Sequence, residues 1–503
     1  MSKGKKEGFV SLKKGFEQRK KIFHNRASAI FPLYITKKND FFLVFFNYWK
    51  NKNNIKSTSI SMILYIYDQE GNLVERFNDK INEFHNQFSI AEILKDKFKD
   101  KFQGTVSVEI ISLEKLSFPF PAVIGIYKSR DLFSSVHSAG RIKNLNEKHE
   151  IFYTDETNWT CKFDKGVTPF FHYFVGPTLP KEKSITVCLY KENKRLKKIK
   201  KINIQNIKPF GSRIFFAKDI FKKVKYEKND FISVKVEHNS IFPRLVVGNY
   251  FKEEDFFETT HSFPFITKKD YCPTVSDKKF QSKLSAYRNE DLELNLKVFP
   301  TNCDGSFKGN FFTKNFDENK LEGKKTVLYP EKSLSKMNIF PLQNNTQFLS
   351  LKMEGKKVPS RFNASFVYKV KNSKSNYSVD IADGARSCIT PQKISHWGHG
   401  YIGDEYETLV MIINDSYNLK TEKTASGELD IYSSKIDIKK KIKVEIKPDS
   451  LTVINISKLE EFSELKSQNN FFSWFLKMRE PGCEAFWVTY RKSDGVIFGD
   501  HSF

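Results

Sequence analysis

Five short segments carry the residues in this chain that could do chemistry. Three of them are copies of one another. Phe120 to Tyr127 leads to Val136-His137-Ser138, Phe242-Pro243-Arg244 to Tyr250 leads to Thr260-His261-Ser262, and Cys483 to Tyr490 leads to Asp500-His501-Ser502. The tyrosine-to-histidine offsets are 10 (127 to 137), 11 (250 to 261) and 11 (490 to 501). A fourth, weaker copy runs from Val358 through Tyr368 to Asp380, offset 12 (368 to 380), with aspartate in place of histidine. Imidazole is the commonest neutral metal ligand and a proton carrier near pH 7. Modules packed about an axis would bring His137, His261 and His501 into one site for a divalent metal or an anion, with Asp380 as an inequivalent fourth member and Asp500 alongside. The competing expectation is a structural latch, in which each histidine donates to a nearby backbone carbonyl and closes its own module. Duplication favours the latch, because related domains share packing whether or not they share function.

The other segment is Ser395-His396-Trp397-Gly398-His399-Gly400-Tyr401-Ile402-Gly403-Asp404-Glu405. In a glycine-rich loop, backbone amides approach a ligand closely, aromatic rings stack on a sugar or base, and histidine with aspartate binds metal or moves protons. His396, Trp397, His399, Tyr401 and Asp404 are therefore the expected ligand-binding residues, and His396, His399, His501 and Asp500 the expected metal set. The opposing expectation is an inter-module linker with Trp397 docked as a plug, as Trp159 would be in the second copy. His396 and His399 have no counterpart there, which marks them as module-specific.

The elements that must position these residues are short, alternating or apolar runs. Examples are Phe41 to Tyr48, Ser59 to Tyr67, Gly104 to Ile111, Ser184 to Tyr190, Phe231 to Val236, Leu292 to Val298, Glu407 to Asn414 and Phe472 to Leu476. Asp68-Gln69-Glu70-Gly71-Asn72 reads as a turn with glycine at positive φ, and Ser89 caps a brief helix to Leu94. The same order recurs at a period of roughly 115 residues, too long for a solenoid repeat. The expected fold is all-β: four tandem antiparallel β-sandwich modules, immunoglobulin-like or jelly-roll-like, with one short helix each. Their bounds are 29–145, 146–265, 270–390 (the divergent copy) and 394–503, preceded by a basic N-terminal arm over 1–28.

Composition narrows the function classes. The formal net charge is +25, with 49 Phe and 20 Tyr among 503 residues, enough aromatic material for several cores. The positive field attracts polyanions, and Lys194 to Lys201 and Lys439 to Lys441 are the runs that could grip phosphates, although such runs are more often solvated hairpin tips. Joint enrichment of Lys, Asn, Ile and Phe is also what a biased genome produces. Six scattered cysteines without a C-x-x-C pair argue against a zinc ribbon or dithiol site. No secretory leader and no run of 18 apolar residues stand in the sequence, so a cytoplasmic location is expected, with no transmembrane segment. No Walker, kinase, H-E-x-x-H or G-x-S-x-G signature occurs.

The alternation of apolar strand, polar turn and second strand distantly resembles that of bacterial β-sandwich binding domains, a likeness that transfers no site. The expectation is a non-catalytic tandem binding or scaffold protein for a carbohydrate or protein partner, with oligomerisation open and no cofactor required. The alternatives are a metal-assisted enzyme on a glycan or anionic metabolite through a His/Asp site, and a binder of nucleic acid or anionic polysaccharide.

Overall fold

The computed structural model describes residues 24–52, 60–116, 121–138, 140–142, 152–192, 195–238, 244–264, 274–275, 281–298, 307–315, 321–329, 338–341, 347–354, 358–359, 361–386, 395–414, 424–433, 440–448, 450–463, 466, 469–479 and 483–502. It is nearly all β and antiparallel. Strands β1 (His24–Thr36), β2 (Asn39–Phe46), β3 (Ile60–Asp68), β4 (Leu73–Ile81), β5 (His85–Ser89), β6 (Lys101–Leu116), β7 (Ala122–Ser129) and β8 (Leu132–His137) make two sheets, ordered β1-β6-β3-β4 and β5-β2-β7-β8. Strands β9 (Phe152–Asn158), β10 (Val167–Phe174), β11 (Ser184–Tyr190), β12 (Leu196–Asn203), β13 (Ser212–Phe216), β14 (Phe231–His238), β15 (Val246–Phe251) and β16 (Phe256–His261) repeat that order as β12-β11-β14-β9 and β13-β10-β15-β16, with β17 (Phe263–Pro264) added beside β9.

After β18 (Thr274–Val275), strands β19 (Gln281–Ala286), β20 (Leu292–Val298), β21 (Phe307–Asn315), β22 (Leu321–Tyr329), β23 (Asn338–Pro341), β24 (Gln347–Glu354), β26 (Arg361–Val370) and β27 (Val379–Arg386) form β19-β24-β21-β22 and β23-β20-β26-β27, while β25 (Val358–Pro359) pairs with β18. Strands β28 (Ser395–Ile402), β29 (Tyr406–Asn414), β30 (Ala425–Tyr432), β31 (Lys440–Ile446), β32 (Leu451–Asn455), β33 (Asn470–Met478), β34 (Cys483–Arg491) and β35 (Ile497–His501) form β28-β33-β30-β31 and β32-β29-β34-β35. One strand order thus occurs four times. It places the first two strands of each set in opposite sheets, which differs from the ABED/CFG order of an immunoglobulin domain.

Local sequence explains the elements. Along β3, Ile60, Met62, Leu64 and Ile66 are buried and the residues between them partly exposed, the period of two that one covered face requires. Asp68 accepts hydrogen bonds from the amides of Glu70 (3.0 Å) and Asn72 (2.8 Å), and Gly71 takes φ +90°, closing the β3–β4 turn. Ser89 Oγ accepts from Glu92 N at 3.0 Å and caps the helix Ile90–Leu94. A short helix also occurs at Ala217–Ile220 and at Glu460–Ser463, but the first set carries a second one, Tyr48–Lys52, against the expectation of one per repeat.

Three further expectations change. Residues 24–28 are the start of β1 and not part of an arm, since their alternation pairs them with the far end of β6; residues 1–23 lie outside the described residues. The lysine run 196–201 is a strand, β12, and Lys440 and Lys441 open β31; both are outer strands, where charge discourages pairing with another chain, and neither is a hairpin tip. The segment 395–402 is strand β28, buried along nearly its whole length, and not a glycine-rich loop or linker. A Cβ on Gly398 would lie 2.3 Å from Trp474 Cζ2, and one on Gly400 2.3 Å from Phe472 Cζ. These glycines make room for aromatic rings of the neighbouring strand.

The outer strands of the second sheets, β8, β16, β27 and β35, pack against one another in a closed cycle. Hydroxyls join them: Ser134 Oγ meets Thr259 Oγ1 at 2.9 Å, Ser135 Oγ donates to Gly499 O at 3.1 Å, and Thr260 Oγ1 donates to Asp380 O at 3.4 Å. Aromatic contacts carry the core across the same joins, as in Tyr34–Phe257 (4.7 Å), Phe251–Tyr377 (4.9 Å), Phe366–Phe486 (6.0 Å) and Phe133–Tyr401 (4.8 Å). The aromatic excess therefore serves the interior.

Candidate functional site

His137, His261 and His501 are the last residues of β8, β16 and β35, so the cycle of outer strands brings them together. The His137 ring centroid lies 4.4 Å from that of His261 and 5.3 Å from that of His501, and one ligand-capable nitrogen of each falls within 4.8 Å of the others. They are the one group of three or more His, Cys, Asp or Glu in metal-ligand proximity among the described residues.

The rings are oriented by specific acceptors. His261 Nδ1 lies 2.9 Å from Ser262 O and His501 Nδ1 3.0 Å from Ser502 O; a carbonyl only accepts, so Nδ1 carries the hydrogen in both. His137 Nδ1 donates to Asp500 Oδ2 at 2.9 Å, and Arg244 Nη1 donates to His137 Nε2 at 3.0 Å. Burial, reinforced by the nearby Arg244 and His137, holds His261 well below its ordinary pKa and keeps it neutral. Burial pushes Asp500 upward, but His137, His501 and the His501 amide outweigh it and leave the carboxylate below its usual range.

The three histidines converge, and the residue that follows each of them makes a separate contact. Consecutive strand residues face opposite ways. The histidines face the axis, whereas each following serine reaches the first strand of its own set. Ser138 Oγ accepts from Ile30 N of β1 (3.2 Å), Ser262 Oγ donates to Glu156 of β9, and Ser502 Oγ bonds His396 Nδ1 of β28 (2.9 Å). The serines thus tie each set to its first strand, while His261 and His501 make the backbone-carbonyl contact expected of a latch.

Asp380 does not occupy the fourth equivalent place. His137 pairs with Ile124, three residues before Tyr127; His261 and His501 pair with Val246 and Phe486, four before Tyr250 and Tyr490; Asp380 pairs with Val367, one before Tyr368. The third set has a longer β26–β27 hairpin, so counting residues along the chain falls short of the rung. Asp380 bonds Lys297 Nζ at 3.4 Å instead.

The 395–405 residues separate. His399 Nδ1 bonds Ser473 Oγ (2.9 Å), which also meets His85 Nδ1 (2.7 Å), and burial holds His399 well below its usual pKa and His85 down to about 3. Trp397 lies stacked near Tyr48, with ring centroids 6.3 Å apart, and Tyr401 packs on Phe133 and Tyr406, whereas Asp404 is exposed at a turn. His396 and His399 therefore do not join His501 and Asp500 in the three-histidine group, and the four buried residues present no open face. Arg244 is the site residue that sequence reasoning passed over. Its signal was its place inside the repeated segment, two residues before the rung that faces the histidine, where the other copies have Ala122 and Glu484.

No protein family and no curated protein matches the chain. A solved structure of trypsin-activated alpha-2-macroglobulin from Escherichia coli aligns with 92% of this chain at 7% identity and a TM-score of 0.09, and the chain spans 30% of that protein's length. A likeness that weak carries no argument about fold or function. No helix among the described residues is long and apolar enough to cross a membrane.

Proposed function

We propose that the chain is a non-catalytic binding or scaffold protein in which four β-sandwich modules, 24–145, 146–265, 270–390 and 394–503, close into a ring and present their outer loops to a carbohydrate or protein partner. One observation carries this reading: hydroxyl and carboxylate groups of the outer strands are committed to contacts that join one repeat to another. Ser134 with Thr259, Ser135 with Gly499, His137 with Asp500 and Thr260 with Asp380 each join two strand sets. Polar groups committed in this way rigidify and specify an assembly. A rigid scaffold carrying variable loops is the common architecture of binding proteins.

A second reading, binding to a polyanion, is favoured by β12. Lys198 and Lys200 are exposed there and line an open concavity together with Asp219, Ile220 and Lys222. A glycan array containing neutral and sulfated members, read at two salt concentrations, distinguishes the proposals. Retention of a neutral glycan that salt leaves unchanged supports the scaffold reading. Retention of sulfated members alone, falling steeply with salt and lost in Lys198→Gln/Lys200→Gln, replaces it with the second. Release of a cleaved product would overturn both in favour of an enzyme.

A further inference from the structure

We propose that His137, His261 and His501 form a three-nitrogen binding site for a divalent transition metal of the zinc class, and that the Arg244 guanidinium holds the site when metal is absent. The inference rests on the axial convergence alone and is independent of what the outer loops bind.

Zinc bonds imidazole nitrogen at about 2.0–2.1 Å, so three tetrahedral ligands stand about 3.4 Å from one another. One ligand-capable nitrogen of each ring already lies within 4.8 Å of the others, so metal binding requires the rings to draw closer. Each ring also has the support that ligating histidines require. A ligand histidine donates its second N–H to a carboxylate or carbonyl, which fixes the tautomer and raises the basicity of the binding nitrogen. Asp500 supplies this for His137, Ser262 O for His261 and Ser502 O for His501. All three Nε2 atoms are thereby left as electron-pair donors. An all-imidazole set suits zinc, copper or nickel, whereas calcium and magnesium demand oxygen ligands.

The contact from Arg244 Nη1 to His137 Nε2 fits the same picture. A lone pair directed at the axis needs a positive partner, and a guanidinium hydrogen is one such partner. A metal ion would need the same lone pair, so the two cations exclude one another. His501 is the solvent-facing member, with 28% of its side chain exposed against 10% for His137, so water or a donor atom from a ligand reaches the metal from its side. Because the histidines come from three different strand sets, the bound metal would clamp the ring and raise the unfolding midpoint.

The test uses the full chain, stripped with chelator and titrated with Zn(II) and with Co(II) near pH 7.5. It reads metal content after desalting, the cobalt visible spectrum and the thermal midpoint. The expected result is one equivalent of zinc, an intense four-coordinate cobalt spectrum and a raised midpoint. His261→Ala should lose all three, Asp500→Asn should weaken binding about 10–100-fold, and Arg244→Ala should bind more tightly than the parent. Retention of less than about a tenth of an equivalent by the parent overturns the site, as does binding undiminished in His261→Ala, which would mark an adventitious surface ion. If His261→Ala does not fold, the parent's cobalt spectrum and the Asp500→Asn affinity decide. Weaker binding in Arg244→Ala overturns the competing role of the guanidinium.

Discussion

Gly398→Ala separates a packing role from a ligand role for the histidine-rich segment. The added Cβ would sit 2.3 and 2.6 Å from Trp474 Cζ2 and Cε2 and 2.8 Å from Trp487 Cδ1. Ordinary carbon contacts are about 3.5–4.0 Å, so two indoles must each move by about an ångström. Neither is free to do so. Trp474 is fully buried and donates from Nε1 to His399 O at 3.2 Å, and Trp487 is 1% exposed. Overpacking of this kind costs about 1–3 kcal/mol, and two pinned rings place this site toward the upper end. Removing glycine's backbone freedom returns about 0.5–1 kcal/mol, leaving a net loss of about 2 kcal/mol. Tryptophan fluorescence during urea unfolding measures it directly, since the displaced rings are the reporters. In a Trp474→Phe background, which lacks Cζ2, Gly398→Ala should cost at least about 1 kcal/mol less, a coupling typical of contacting residues. A Gly398→Ala protein within about 0.5 kcal/mol of the parent that had lost ligand binding would refute the packing argument.

Three other outcomes are expected. His85 and His172 are held neutral by burial, with pKa values brought from 6.5 down to about 3; the unfolded chain takes up their protons below pH 6.5, so stability falls as pH drops through 6.5 toward 3, by about 1.4 kcal/mol per pH unit for each. Urea midpoints at pH 7.0 and 5.5 should differ accordingly, and equal midpoints would contradict it. Lys162 Nζ, buried between the second and third strand sets, bonds both Glu258 oxygens (2.8 and 2.7 Å), Asn376 O and Ser378 Oγ. Lys162→Met should cost about 3–5 kcal/mol by stranding the carboxylate, and adding Glu258→Gln should recover much of that; a double variant no more stable than the single, by thermal melting, would argue against the pair. Finally, Lys198→Thr/Lys200→Thr removes charge from outer strand β12, where Leu196 and Ile199 are 48% and 55% exposed. Light scattering should then detect self-association, and a monodisperse variant would show that the lysines do not guard that edge.

Strand positions were readable wherever burial is one-sided, as along β3, and also where both faces are covered, as in Glu407 to Asn414. The Ser89 cap and the Gly71 turn were readable because their chemistry is local. The 395–402 segment was misread because glycine and histidine signal loops and ligands in sequence, while the rings that fill the space above Gly398 and Gly400 come from β33, more than 70 residues away. Asp380 was misplaced because chain spacing counts hairpin residues and ladder register does not.

The repeated strand order and the recurrent His-Ser pair were determined by sequence alone, since alternation and turn chemistry act over a few residues. The pairing of each serine with its own first strand, the meeting of three histidines on one axis and the arrival of Arg244 at His137 were decided only by tertiary structure. Those contacts join residues 106 to 363 positions apart. A period of two states which side chains share a face, but only closure of the four outer strands into a cycle determines which faces meet.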